Sequence, residues 1–223
     1  MSGHKESAGG RQRRRTTTAE REHRIASAPA QKMVRKTREL IAERGVAAAN
    51  IREIAQACRQ SVAAPLWYFG SKGRLLIEVL RYDHAQRLQV LRARVEPAQT
   101  RAELVDAVHG ALTAFLDERA LRGTHELMAE ITRLAIDDEE VAGHRADLRR
   151  EYRDVFARLL GDKQRAGIVV LSGHATSVAA VLVSLAQGFA VEITADRGWR
   201  PDEAIADARA VIEALLGDPR APV

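Results

Sequence analysis

Between residues 29 and 215 the apolar side chains recur three and four positions apart and nowhere alternate over a useful length. That period commits the chain to helices packed on helices. Pro29 offers a helix start, Met33, Val34, Thr37, Leu40 and Ile41 follow at helical spacing, and Gly45 stops the segment. Asn50, with Glu53 three residues on, is a cap signature for a helix through Ile51, Ile54, Ala55 and Ala57. Ser61 caps a second short helix running to about Tyr68, and Gly70-Ser71-Lys72 starts a long one through Leu75, Leu76, Val79 and Leu80. Two short helices joined by about three residues, with small alanines where they cross, describe a helix-turn-helix.

The remainder reads as helix almost throughout. Thr100 and Glu103 have capping-box spacing ahead of Leu104, Val105, Val108, Leu112, Phe115 and Leu116. Leu127, Met128, Ile131 and Leu134 mark the next helix, and Asp137 and Asp138 cap a long one carrying Val141, Leu148, Tyr152, Val155, Phe156 and Leu159. Gly161 to Gly173 is a break. Thr176 to Thr194 is apolar nearly all round, and Pro201, at a first helical position, precedes Ile205, Val211, Ile212 and Leu215. Interrupted by Ser184 and Gln187, the stretch from Val178 to Val191 reads as a buried helix rather than a membrane span. The expectation is an all-α protein of about nine helices. Residues 1–28 form a basic arm with a short helix over 17–26, where Thr17 and Glu20 have capping spacing. A three-helix head covers 29–72 and a six-helix body covers 73–223.

Charge divides along the same line. Residues 1–82 hold 17 Lys and Arg against 7 Asp and Glu, whereas residues 83–223 hold 18 against 23. A basic head on an acidic body suits a head that binds a polyanion, although a solvated tail has the same composition. Cys58, the lone cysteine, excludes a disulfide framework and a multi-cysteine zinc site and fits a reducing cytosol. With no apolar signal segment after the charged N-terminus, a cytoplasmic location is expected.

The stretch from Gly45 to Leu76, GVAAANIREIAQACRQSVAAPLWYFGSKGRLL, resembles the DNA-binding segment of TetR-family transcriptional regulators. The match runs without gaps through Gly45, Ile51, Ile54, Ala55, Ala57, Ser61, Tyr68, Phe69, Ser71, Lys72 and Leu75. Four residues depart from it: Arg59 stands at the family's turn glycine, Gln60 at the apolar residue that follows, Leu66 at the first tyrosine of the aromatic pair, and Pro65 before it. A non-glycine residue in left-handed geometry costs about 1–2 kcal/mol, so a reshaped turn is expected at Arg59. The resemblance implies a DNA-binding helix-turn-helix domain on a ligand-binding and dimerisation domain. It further implies a repressor released from a near-palindromic double-stranded operator by a small molecule.

A recognition helix must bring side chains to base edges in the major groove while its flanks hold phosphates. Val62, Ala63 and Ala64 offer only apolar contact with thymine methyls, so polar readout falls to Arg59, Gln60 and Arg52, beside Asn50 and Ser61 at the caps. Leu66, Trp67 and Tyr68 would press on the sugar-phosphate wall, and Lys72, in a first helical turn, would hold a phosphate. Tyr68 and Phe69 serve equally as seals of a small core, and Arg52 and Arg59 as solvated surface. Arg11, Arg13, Arg14 and Arg15 would add sequence-independent affinity as a flexible arm, or are merely a tail.

In the body, a helix apolar all round has too much apolar surface for one core face. Val178, Val181, Leu182 and Leu185 are expected to face inward. Val183, Ala186, Ala190 and Val191, with Val211, Ile212 and Leu215, would form a two-fold four-helix seam between two copies, as the resembled family does. A fully buried helix in a monomer is the competing arrangement. His109, Thr132, Tyr152 and Gln187 are polar groups at apolar positions and the candidates for touching an apolar or amphipathic effector. No motif calls for catalysis, cofactor or metal: GxSxG, phosphate-loop, HExxH and dinucleotide patterns are all missing. His125, Glu126 and Glu130 read as exposed helix charges, and Asp137 to Glu140 beside His144 as a helix opening. A general nucleic-acid binder or adaptor without ligand control is the alternative function.

Overall fold

The computed structural model describes residues 18–116, 118–196 and 202–219. Among them lie ten α-helices: α1 (Thr18–Ile25), α2 (Ala28–Arg44), α3 (Ile51–Ala57), α4 (Ala64–Phe69), α5 (Lys72–Val95), α6 (Arg101–Phe115), α7 (Glu118–Asp137), α8 (Glu139–Arg165), α9 (Ala175–Ala195) and α10 (Asp202–Leu215). A 3-10 turn, Val46–Ala48, follows α2. The architecture is all-α as expected, with one small exception. β1 (Val170–Leu171) and β2 (Leu216–Gly217) form a two-residue antiparallel ladder. It is too short to leave an alternating pattern in the sequence.

The caps explain most boundaries. Asn50 Oδ1 accepts from the Glu53 amide at 3.0 Å, and Thr100 with Glu103 forms a reciprocal capping box. Ser71 and Asp138 cap α5 and α8 through the Arg74 and Val141 amides. Gly45 ends α2 at φ 78°, a backbone conformation that glycine adopts without strain. Thr17 and Pro201 lie outside the described residues.

Two boundaries differ from expectation. Ser61 does not open α4: its carbonyl accepts from the Ala64 amide in a turn, and the helix begins at Ala64. Pro65 therefore occupies the first helical turn, where its missing N–H costs nothing. Similarly, α8 runs through Gly161 to Arg165, so the break is confined to the short segment before α9. There, Lys163, only 8% exposed, donates to the Glu96 and Ala98 carbonyls, both at 2.7 Å, and satisfies the chain leaving α5.

Packing does not divide at residue 72. One buried cluster joins Met33, Ile41, Ile54 and Phe69 of the head to Leu75 and Leu76 of α5, Leu127 and Ile131 of α7, and Val141 and Leu148 of α8. A second cluster joins Leu91 and Val95 of α5 to Leu104 and Val108 of α6, Phe156 and Leu160 of α8, Ala179 of α9 and Ile212 of α10. The long α5 thus belongs to both cores and fixes the head on the body.

The competing arrangement, an α9 helix fully buried within one chain, fails. The helix is long and apolar enough to cross a membrane by composition, yet only 22% of its most apolar window is buried. Val178, Ala179, Leu182 and Ala190 face inward, whereas Val181 (49% exposed) and Val191 (51%) face out. Small side chains at Ala179 and Ala190 let α9 lie close to its neighbours and rotate Val181 away from them.

Candidate nucleic-acid interface and body cavity

The helix-turn-helix presents one continuous exposed surface. Arg52 lies on the outer face of α3, and Arg59, Gln60, Ser61, Val62 and Ala63 are all exposed in the turn. Leu66 and Trp67 project from α4, at 47% and 57% exposed, while Ala64 is half-buried. Asn50 is exposed but spends its carbonyl oxygen on the α3 cap. Arg59 keeps the left-handed geometry of the glycine it replaces, at φ 54°, so the turn is not reshaped and the strain is retained. Gln60 donates its amide to the Ala55 carbonyl across this turn.

Aromatic packing sets the angle of α4. Phe69 is fully buried, and Tyr68 is half-buried against the same core with its ring meeting Trp67 edge-on at 4.7 Å. Arg24 of α1 donates to the Trp67 carbonyl at 2.9 Å and sets its guanidinium 5.0 Å from the centre of the Trp67 ring. The helix expected near residues 17–26 is thus a brace for α4, a role that charge spacing alone did not reveal.

Lys72 is already engaged. Its ammonium lies 3.5 Å from Glu130 Oε1 of α7, and Glu130 is also gripped by Arg133 at 2.9 Å. Bonding to Arg133 and the charge of Lys72 hold the Glu130 carboxyl below its ordinary range despite partial burial. Glu126, on the same helix face, accepts from the Val46 amide at 2.9 Å. Expected to be plain surface charges, these two glutamates instead fasten the head to the body.

The body also forms a partly open cavity of about 640 Å³. Aliphatic and aromatic groups from α5, α6, α8, α9 and α10 make most of its wall, among them Leu91, Val108, Phe115, Phe156, Leu182 and Ile212. Thr132, Tyr152 and Gln187, three of the four candidates, line it. His109 does not: its Nε2 sits 2.9 Å from the Ile205 carbonyl and ties α6 to α10. Val183, Ala186, Ala190, Val191 and Ile212, assigned by sequence to a seam between copies, also line the cavity. Ala190 and Ile212 are 1% and 0% exposed in the single chain, so neither has surface left for a partner.

The unexpected part of the wall is cationic. Among the described residues, Arg87, Arg133, Arg149 and Arg153 line the cavity with His84 and His125, and no Asp or Glu does. Arg87 sits 4.6 Å from the Phe115 ring centre and donates to Thr124 Oγ1 at 3.0 Å. Thr124 in turn donates to Asp83, whose carboxylate takes the Arg38 Nε–H at 2.7 and 2.8 Å. Burial pushes the Arg87 and Arg149 guanidiniums down from the ordinary arginine range; Asp83 opposes the shift at Arg87, whereas Arg145 and Arg153 add to it at Arg149. His84 falls to about 4, chiefly through burial and then through Arg87, Arg81 and Arg149. A signal for these groups existed: Leu80, His84, Arg87 and Leu91 share one α5 stripe, whose apolar periodicity masks the two polar members.

Among the described residues no cluster of His, Cys, Asp or Glu has metal-binding geometry. Asp138 caps α8, and Glu140 pairs with Arg21 and His144. Cys58 is buried, which raises its thiol pKa.

Residues 34–79 match the family model for bacterial regulatory proteins of the tetR family. No curated protein sequence matches the chain. Among solved structures, a protein described as a transcriptional regulator from Saccharomonospora viridis, in complex with choline, is 20% identical. It superposes with a TM-score of 0.65 over 87% of this chain and 97% of its own. One from Rhodococcus sp. RHA1 is 20% identical, with a TM-score of 0.67 over 86% and 95%. A third, described as a TetR-family regulator from Mesorhizobium loti, is 15% identical, with a TM-score of 0.66 over 85% and 96%.

Proposed function

We propose, from the match of residues 34–79 to the model for tetR-family bacterial regulatory proteins, that this chain is a DNA-binding transcriptional regulator of that family. In this reading it is a repressor that leaves its operator when a small molecule fills the body cavity. The observation that carries this reading is α7. One face of the helix holds the head through Glu126 and Glu130, while Met128, Ala129 and Thr132 line the cavity. A ligand that moves α7 therefore bears on both, and its effect on DNA equals its differential affinity for the two positions. Division into a head at 29–72 and a body at 73–223 is functional, since α5 packs in both.

DNA contact is assigned to the exposed surface of α3, the turn and α4, with Arg52, Arg59, Gln60 and Ser61 facing base edges. Val62, Ala63, Leu66 and Trp67 would meet methyl groups and sugars, and Tyr68 acts mainly by holding Trp67. Lys72 reaches a phosphate only by loosening from Glu130.

A second copy covers α9. Its outward stripe of Val181, Ser184, Gly188 and Val191, beside Val211 (44% exposed) of α10, supplies the apolar face that a two-fold seam requires. This replaces a seam through Ala190 and Ile212. Two-fold pairing sets two recognition helices roughly 34–36 Å apart on a near-palindromic site.

The Saccharomonospora neighbour holds choline, a cation. An arginine-lined cavity does not suit that ligand, so the effector here differs in charge.

Selection of bound duplexes from a random DNA pool by the full chain tests the proposal. An enriched inverted repeat of about 15–20 base pairs is the expected result. Uniform recovery of all sequences favours a general nucleic-acid binder and overturns it.

A further inference from the structure

The cavity wall carries enough chemistry to name the class of effector, an inference that rests on the regulator reading above. Among the described residues, four arginines and no carboxylate line a mostly apolar space. Arg133 is neutralised by Glu130, but among the described residues no carboxylate lies within ion-pair distance of Arg87, Arg149 or Arg153. Arg87 spends one N–H on Thr124, and Arg149 one on Gln187 Oε1 at 2.9 Å. Each retains further donors. Arg87 is largely desolvated with its counter-charge, Asp83, beyond ion-pair distance, and Arg149 is partly buried while Arg153 is exposed, so a bound anion offsets the cost of desolvating the first two.

The charges also converge. Arg87 and Arg149 both act on His84, which lines the same cavity between them. His84 Nδ1 is buried and has no hydrogen-bond partner in the protein, an exception to the rule that buried polar atoms are satisfied. Its lowered pKa keeps the ring neutral near pH 7, with one nitrogen available to accept and one to donate. Leu91, Val108, Leu112, Phe156 and Leu182 supply apolar surface to the same cavity.

We propose that the effector is an amphipathic carboxylate, its head held by Arg87 and Arg149 beside His84 and its apolar body lying among Leu91, Leu112, Phe156 and Leu182. The planar two-oxygen head matches a guanidinium fork, which a spherical cation or a neutral alcohol does not. Arg87 then exchanges part of its hold on Thr124 for the ligand, and the disturbance passes to Asp83 and Arg38 of the head.

Calorimetric titration of the full chain with dodecanoate, dodecanol and dodecyltrimethylammonium, each below its micellar concentration, tests the assignment without DNA. Dodecanoate is expected to bind at least about tenfold tighter than dodecanol, with no binding of the ammonium. Arg149→Met should remove about tenfold of the dodecanoate affinity and leave dodecanol unchanged. Arg149→Lys should recover part of the loss. Equal or tighter binding of the alcohol or the cation overturns the proposal, as does dodecanoate affinity that Arg149→Met does not change. These readings are separate from the regulator assignment: dodecanoate that binds as described but leaves operator affinity unaltered sustains the ligand class and refutes ligand control.

Discussion

Arg38 of the head and Arg87 of the cavity wall share one acceptor, the hydroxyl of Thr124, at 3.4 and 3.0 Å. Thr124, 3% exposed, donates its own hydrogen bond to Asp83, which is held by Arg38. A change at Arg87 is therefore felt at α2 through two hydrogen bonds and no moving backbone. Thr124→Val keeps the shape and removes the hydroxyl. It should cost about 1–3 kcal/mol in chemical denaturation, because Asp83 and Arg87 each lose a partner. Dodecanoate should still bind, while the ratio of operator affinities without and with it moves toward one. A ratio equal to that of the unmodified protein excludes this route.

The strained turn makes a second prediction. Arg59 holds φ 54° at a cost of about 1–2 kcal/mol, and glycine there gives back part of the gain through the entropy of its unfolded chain. Arg59→Gly should therefore stabilise the protein by about 0.5–1 kcal/mol in thermal melts. Operator affinity should fall as stability rises. If Arg59 meets a phosphate, the salt dependence flattens by about one unit per head; if it meets a base, specificity relaxes instead.

A buried ion pair anchors the start of α5. Arg74, 3% exposed, bonds Glu22 of α1 at 2.7 Å and lies 3.1 Å from Glu78, itself 6% exposed. Arg74→Met leaves Glu78 buried with Arg81, at 3.5 Å, as its remaining cationic partner, and should cost toward the low end of about 3–5 kcal/mol. Arg74→Met with Glu78→Leu removes both charges and should recover most of that loss. A double variant no more stable than the single would mean that Arg74 acts through Glu22 and not through Glu78.

Acid sensitivity should trace to the cavity. His84 titrates near 4 in the folded chain against about 6.5 when unfolded, so the unfolded state takes up the proton first. Its contribution to stability is complete above pH 6.5 and is lost as the pH falls toward 4, by up to about 3 kcal/mol. His125, lowered by burial and by Arg87, acts in the same direction. Denaturation midpoints of His84→Phe between pH 7 and 4 should fall less steeply than those of the unmodified chain. Parallel curves would show that the acid response arises elsewhere.

Helix periods and caps were legible in the sequence because they are local: Asn50 with Glu53, Thr100 with Glu103 and Asp138 with Val141 each need only a few residues of chain. The exposed helix-turn-helix surface was legible for the same reason. Facing was not. Val181 and Val178 are equally apolar, and only the close approach allowed by Ala179 and Ala190 decides which turns inward. Likewise Ile212 is apolar whether it meets a partner or a cavity. The arginines of the wall escaped notice because a buried arginine without a carboxylate breaks the usual rule, and sequence cannot show which cations lack partners. Glu130 looked like surface charge until the fold set Lys72 beside it.

The central claim is that the surface of α3, its turn and α4 reads DNA, and Trp67 tests it most directly. Its side chain is 57% exposed, so Trp67→Ala spares the core. Titration of the selected duplex with this variant, at fixed salt, should show a loss of at least about tenfold, ~1.4 kcal/mol, with the chain still folded and its melting temperature lowered only by the lost Tyr68 and Arg24 contacts. A folded variant that binds the duplex as tightly as the unmodified protein would contradict the account.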